Sequence, residues 1–242
     1  MKAIILAGGR GTRLAPYTTI LPKPLMPIGE YPIIEILVRQ LIAQGITDLT
    51  LTVGYLAELI RAYFHNRPSL TEKLKLSYVT EETPTGTAGS LALVPGLTET
   101  FLVMNGDILT TLNFRELIRY HRDQEAALTI AVQKKHVKID LGVIVASGNG
   151  SIVDYQEKPE LDYLVSMGVY VYEPRVLEQI KKNSYLDFPD LVLKLIHIGE
   201  RVVGYQSQDI WLDIGRHEDY QQAVKEFESR RNAFLTEFGT AQ

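Results

Sequence analysis

At 242 residues and 45% hydrophobic content the chain can bury a full core, and its net charge of −4 excludes the broad basic surface of a general nucleic-acid or anionic-membrane binder. Zero cysteines exclude a disulfide framework, thiolate zinc sites and cysteine nucleophiles, so the expected setting is cytoplasmic. The five histidines, His65, His121, His136, His197 and His217, lack metal-ligand spacing, no apolar run reaches the ~20 residues of a membrane span, and no leader-like segment precedes the first strand.

The first predicted element is an apolar strand over 2–7, which breaks into the glycine-rich stretch Gly8-Gly9-Arg10-Gly11-Thr12-Arg13-Leu14. A helix follows over 32–44, with Pro32 in its first turn, Ile33, Ile36, Leu37 and Leu41 at helical spacing, and Gly45 as its stop. Strands near 48–53 and 75–80 alternate with helices near 56–65 and 87–94, and Phe101 to Met104 reads as a strongly apolar strand. Asn113, with Glu116 three residues later, is a capping pair for a helix running to about Arg122. This alternation of strand and helix predicts a Rossmann-like α/β fold: a mixed, mostly parallel sheet flanked by helices.

After Ala126 the pattern changes to strands near 127–134, 142–147, 151–156 and 166–172, with Ser147-Gly148-Asn149-Gly150 as a hairpin turn. Helices near 174–182 and 188–197, a strand near 201–206 and a charged helix from about 216 to 235 complete the pattern. Without a linker or repeat, residues 1–242 read as a single domain. Residues 1–125 form one half, 126–225 add antiparallel strands to the same sheet and form the acceptor side of a cleft, and 216–242 form a C-terminal helical segment.

A strand feeding a glycine-rich loop with Arg13, followed by Leu21-Pro22-Lys23-Pro24, is either a phosphate cradle or an ordinary strand-turn. Leu14 stands where a dinucleotide loop needs a third glycine or alanine, and Gly11-Thr12-Arg13 replaces the Gly-Lys-Ser/Thr of the other common phosphate loop. Asp107, just after the strand ending at Met104, is a metal ligand or a turn aspartate. Asp213, between large apolar residues, is a ligand or a buried cap. Glu157-Lys158 is a solvated pair or a ligand contact. Glu81, in a polar loop entering a run of small residues, has a carboxylate suited to the adjacent N1–H and N2 donors of guanine.

Gly8 to Leu14, Leu21 to Pro24, Glu81 to Ser90, Asn105 to Asp107, Glu157 to Pro159, Gly168-Val169-Tyr170 and Trp211 to Gly215 occur in the order and approximate spacing of the sugar-nucleotide pyrophosphorylases. The chain resembles that family over residues 1 to about 225, and within it is most similar to the mannose-1-phosphate guanylyltransferases. The resemblance implies transfer of a nucleotidyl group from a nucleoside triphosphate to a sugar 1-phosphate, with release of pyrophosphate. GTP with mannose 1-phosphate, or a related hexose or heptose 1-phosphate, is the first expectation. A UTP- or dTTP-dependent glucose-1-phosphate enzyme and a non-catalytic nucleotide-sugar-binding regulator are the alternatives.

The same resemblance assigns Leu6, Gly8, Gly9, Gly11, Thr12, Arg13, Lys23, Glu81, Pro84, Gly86 and Asp107 to the nucleotide. It gives Gly142, Glu157, Lys158, Ser166 and Gly168 to the sugar phosphate, catalytic roles to Arg13, Lys23 and Lys158, and Mg²⁺ to Asp107 and Asp213. Two positions depart from the family: Ser166 stands where asparagine is common, and Asp140-Leu141 replaces the usual tyrosine or phenylalanine before Gly142. The left-handed β-helix of many relatives is not expected, which leaves the helix past 216 as the candidate surface for a homo-oligomer.

Overall fold

The computed structural model describes residues 1–235. Its first half runs β1 (Lys2–Ala7), β2 (Pro27–Ile28), β3 (Tyr31–Pro32), α1 (Ile33–Ala43), β4 (Asp48–Val53), α2 (Ala57–His65), α3 (Pro68–Thr71), β5 (Lys75–Thr80), α4 (Gly86–Gly89), β6 (Phe101–Asn105), β7 (Ile108–Thr110) and α5 (Phe114–Asp123). The second runs β8 (Leu128–Lys138), β9 (Val143–Ala146), β10 (Ile152–Gln156), β11 (Glu160–Tyr172), α6 (Phe188–His197), β12 (Val202–Gln206), β13 (Trp211–Asp213), α7 (His217–Ser229) and α8 (Arg231–Phe234).

Seven strands form one sheet in the order β12-β8-β11-β6-β1-β4-β5. β6, β1, β4 and β5 are parallel, β12 is parallel to β8, and β11 runs antiparallel between β8 and β6. Successive side chains of β1 go to opposite faces: Ala3, Ile5 and Ala7 join one core with α1, α2 and α5, while Ile4 joins a second core under α6. A third core gathers Leu14, Met26, Ile28, Leu109, Ile214 and the α7 residues Ala223 and Phe227. The inner face of α7 is therefore used within the chain.

Asn113 caps α5 as expected, its side chain accepting from the N–H groups of Arg115 and Glu116 at 3.1 and 3.2 Å. Three expected helices differ. Only one α-helical turn forms over Gly86–Gly89, followed by 3₁₀ geometry at Ser90–Leu93, and the N–H groups of Ala88 and Gly89 both donate to the Leu186 carbonyl at 3.0 Å. Pro174–Gln179 is 3₁₀ and stops before Asn183, which has positive φ. The last helix breaks at Arg230, and the end of the expected segment, 236–242, lies outside the described residues. β8 and β11 run well past their expected ends and pair from Leu128/Tyr172 out to Lys138/Glu160. The short β7–β13 pair carries no sequence signal of its own.

His121 of α5 is 1% exposed, with Nδ1 at 2.8 Å from Thr129 Oγ1 and Nε2 at 3.1 Å from Glu173 Oε1. Burial lowers its pKa from the ordinary 6.5, against the opposing pull of Glu173. A depressed folded-state value means that its contribution is complete above about pH 6.5 and is lost as pH falls through the folded value. Urea unfolding between pH 7.5 and 5.0 should therefore show wild-type stability falling more steeply with acidification than that of His121→Gln.

Candidate active site

β1, β4, β5 and β6 all end at the same edge of the sheet, and the loops that follow them surround a cavity of about 630 Å³. Open α/β sheets bind ligands at this carboxyl edge, beside a strand whose two neighbours lead the chain in opposite directions. β1 is that strand here, with β4 on one side and β6 on the other. All eleven residues that the resemblance gives to the nucleotide line the cavity.

Close neighbours account for Gly8, Gly106 and Gly11. A Cβ on Gly8 would stand 2.8 Å from Glu81 Oε1, and one on Gly106 would stand 2.7 Å from the Leu6 carbonyl. Gly11 has φ of 62°, which starts the 3₁₀ turn Thr12–Leu14; a Cβ there would meet Lys23 Cβ at 3.0 Å. Leu14 is fully buried in the third core and anchors this turn, with Arg13 on the cavity wall. Lys23, 7% exposed and held between Pro22 and Pro24, pairs through Nζ with Asp107 Oδ2.

The β7–β13 pair joins the two predicted metal ligands. Asp213 is opposite Ile108, and the Ile214 N–H donates to the Asp107 carbonyl at 3.0 Å. Burial pushes the Asp213 carboxyl above its usual range, and the Asp107 carboxylate adds to that rise; Lys23 and Arg13 oppose it. Gly215 leaves room at this point: a Cβ there would lie 3.3 Å from Asp213 Oδ2, 3.4 Å from an Arg13 guanidinium nitrogen and 3.4 Å from Asp219 Oδ2.

The predicted sugar-phosphate residues divide into two groups. Ser166 and Gly168 occupy a bulge in β11, where the register shifts between Ser166 and Tyr170. Gly168 has φ of 72° and packs on Asn105, a cavity residue, and Trp211 Nε1 holds the bulge through the Met167 carbonyl at 2.7 Å. Gly142, Glu157 and Lys158 are instead on the β9–β10 hairpin and the turn after it, and none of the five is in the cavity lining. There Gly142 packs under the Tyr155 ring, and the Tyr155 hydroxyl donates to Glu157 Oε2 at 2.9 Å.

Sequence reasoning missed Tyr55, Asn105, Tyr185 and Asp187 as lining residues. Burial raises the Tyr170 hydroxyl pKa, with the Ser166 hydroxyl at 3.2 Å pulling it down and the carboxylates of Asp107 and Asp213 raising it further. Tyr170 was legible as part of Gly168-Val169-Tyr170, but its placement beside the two aspartates depends on the bulge. Asp187 reads in sequence only as the start of a helix.

Residues 2–230 match the sequence profile of the family described as Nucleotidyl transferase. The chain belongs to that family. It is 32% identical to a UTP–glucose-1-phosphate uridylyltransferase of Synechocystis over 95% of this chain and 64% of the relative. It is 31% identical to mannose-1-phosphate guanyltransferase beta-A of Xenopus laevis over 91% of this chain and 62% of the relative. The chain thus spans less than two thirds of the length of these nucleotidyl transferase relatives. Among solved structures, a putative glucose-1-phosphate thymidylyltransferase of Bacillus anthracis shares the fold with a TM-score of 0.73 at 24% identity, covering 99% of this chain and 98% of that one. Among the described residues no helix is long and apolar enough to cross a membrane.

Proposed function

We propose that the protein, in a cytoplasmic setting, transfers a nucleotidyl group from a nucleoside triphosphate to a sugar 1-phosphate. A sugar-phosphate oxygen bonds to the α-phosphorus as the bond from that phosphorus to the bridging oxygen breaks, and pyrophosphate leaves with the electron pair. The observation that carries this reading is the convergence of the glycine loop, Arg13, the Lys23–Asp107 pair and Asp213 at one end of four parallel strands. Residues 1–125 would hold the nucleotide and 126–225 the sugar phosphate.

The attacking oxygen is already ionised, so the chemistry needs cations more than a base. At ~4 Å and an effective dielectric of ~20, each unit of like charge costs about 4 kcal/mol. Arg13 and Lys23 supply fixed positive charge beside the triphosphate, and Lys158 supplies it from the hairpin side. Asp107 and Asp213 would hold Mg²⁺: their mutual repulsion and the raised Asp213 carboxyl are relieved by a cation, and two carboxylates suit an ion that keeps water and phosphate oxygens in its shell. When bound, the ion neutralises negative charge on the phosphates.

GTP with mannose 1-phosphate, or a related hexose or heptose 1-phosphate, is the first substrate pair. Glu81 supports guanine in part. Its Oε2 accepts from the Thr85 N–H and hydroxyl at 3.2 and 2.8 Å, leaving Oε1, beside Gly8, to face a base. Glu81→Gln should lower GTP use more than UTP or dTTP use in side-by-side kinetics; an equal fall for all three would make Glu81 a fastener of its loop only. The likeness to a uridylyltransferase favours UTP with glucose 1-phosphate as the second reading. Pyrophosphorolysis tests the reaction class in reverse: GDP-mannose or UDP-glucose with pyrophosphate should yield the triphosphate and the sugar 1-phosphate.

A further inference from the structure

The segment 184–188 belongs to none of the motifs above, yet Tyr185 and Asp187 line the central cavity beside Pro84, Gly86 and Thr87. Backbone bonds fasten it there. The Leu186 N–H donates to the Thr85 carbonyl at 2.8 Å, and the Leu186 carbonyl accepts from Ala88 and Gly89 at 3.0 Å. Thr87 Oγ1 accepts from the Phe188 N–H at 2.8 Å.

Asp187 stands at the N-cap position of α6 but makes no side-chain cap bond to that helix. Its carboxylate is engaged elsewhere: Oδ1 accepts from the Thr87 N–H at 3.3 Å and Oδ2 from the Tyr185 hydroxyl at 2.6 Å. Tyr185 is therefore held by its hydroxyl end while the residue remains 65% exposed. A ring fixed in this way offers a flat apolar face with little rotamer freedom left to lose on contact with a ligand.

The cations and this wall belong to different parts of the sheet edge. Lys23 pairs with Asp107, which follows β6, and Arg13 is in the loop after β1. Glu81 to Thr87 follow β5, three strand positions from β6. At the usual strand spacing that separation is about 14 Å. A nucleotide with its phosphates on Arg13 and Lys23 thus directs its base toward residues 81–87 and the segment fastened to them.

We propose that the Tyr185 ring is a stacking wall for the nucleobase and that Asp187 is its positioning residue, an inference that rests on the nucleotidyl-transfer reading. Every base has a flat π-face, so this wall contributes affinity without choosing among bases; the choice belongs to the polar edge near Glu81.

The test is calorimetric binding of GTP, UTP and inorganic triphosphate, without sugar phosphate, to wild type, Tyr185→Ala, Tyr185→Phe and Asp187→Ala. Tyr185→Ala should weaken GTP and UTP alike by about tenfold while leaving inorganic triphosphate unchanged. Tyr185→Phe, which keeps the ring but loses the bond to Asp187, and Asp187→Ala should both show a smaller loss with the same dependence on the base. A Tyr185→Ala protein that binds both nucleotides like wild type, or that loses inorganic triphosphate to the same extent, overturns the proposal alone. A wild type that binds no nucleoside triphosphate overturns the nucleotidyl-transfer reading together with it.

Discussion

Lys23→Met is expected to lower kcat/KM by about 10²–10³-fold, or roughly 3–4 kcal/mol of transition-state stabilisation, in a protein that remains folded. Methionine keeps most of the apolar stem that packs against Gly11 and removes the ammonium paired with Asp107. Asp107→Ala should cause a loss of the same order and should also destabilise the fold, because it strands Lys23 at 7% exposure without its carboxylate. Steady-state kinetics alongside urea unfolding separate the two effects. An active, normally folded Asp107→Ala protein would remove the metal assignment.

The second large effect is on stability. Gly86 has φ of 79°, and a Cβ there would stand 2.5 Å from the Leu186 carbonyl oxygen and 2.8 Å from its carbon. Both atoms are backbone, and the same carbonyl accepts from Ala88 and Gly89, so it cannot retreat without breaking those bonds. Gly86→Ala should therefore cost about 2–3 kcal/mol in urea unfolding. Gly9, whose Cβ would meet nothing within 4 Å, supplies the contrast: Gly9→Ala should change stability by less than about 0.5 kcal/mol. Equal losses at the two positions would refute this account of the 85–89 turn.

These two sites also mark what the sequence could reveal. The proposed phosphate end is built from short contiguous stretches, Gly8 to Leu14 and Leu21 to Pro24, each following directly from the strand or proline pair that positions it. Local chemistry marked them as a candidate cradle, and the resemblance chose that reading over an ordinary strand-turn. Asp107 was legible because it follows an apolar strand whose carboxyl end had to face the cleft. Pairing Asp107 with Asp213 required the three-residue strands β7 and β13, which are too short for alternation to register.

The wall formed by 184–188 was not legible, because Asp187 followed by Phe188 and Pro189 has the local form of a helix start. What draws that carboxylate away from its helix is Thr87, 100 residues earlier in the chain. The expected helix at 87–94 forms as one α-helical turn followed by a 3₁₀ turn, and spacing alone carries no sign that its first-turn N–H groups dock on the Leu186 carbonyl. The seven-strand sheet was easier, since its parallel strands are long, apolar and separated by helices. The 11-residue β8 and 13-residue β11 exceeded expectation because their outer halves lie beyond the core: Gln133 to Lys138 is polar but for Val137, and Glu160 to Tyr163 alternates only briefly, weaker signals than a buried run.

The most direct measurement is pyrophosphate release with Mg²⁺ across a grid of the common nucleoside triphosphates against mannose, glucose, N-acetylglucosamine and heptose 1-phosphates. The account predicts release that depends on both substrates and peaks at one pair, with GTP and mannose 1-phosphate or a related hexose or heptose 1-phosphate expected first. A peak at UTP or dTTP with glucose 1-phosphate would keep the reaction and correct the substrates. Silence across the whole grid, from protein that still binds nucleotide, would contradict the account.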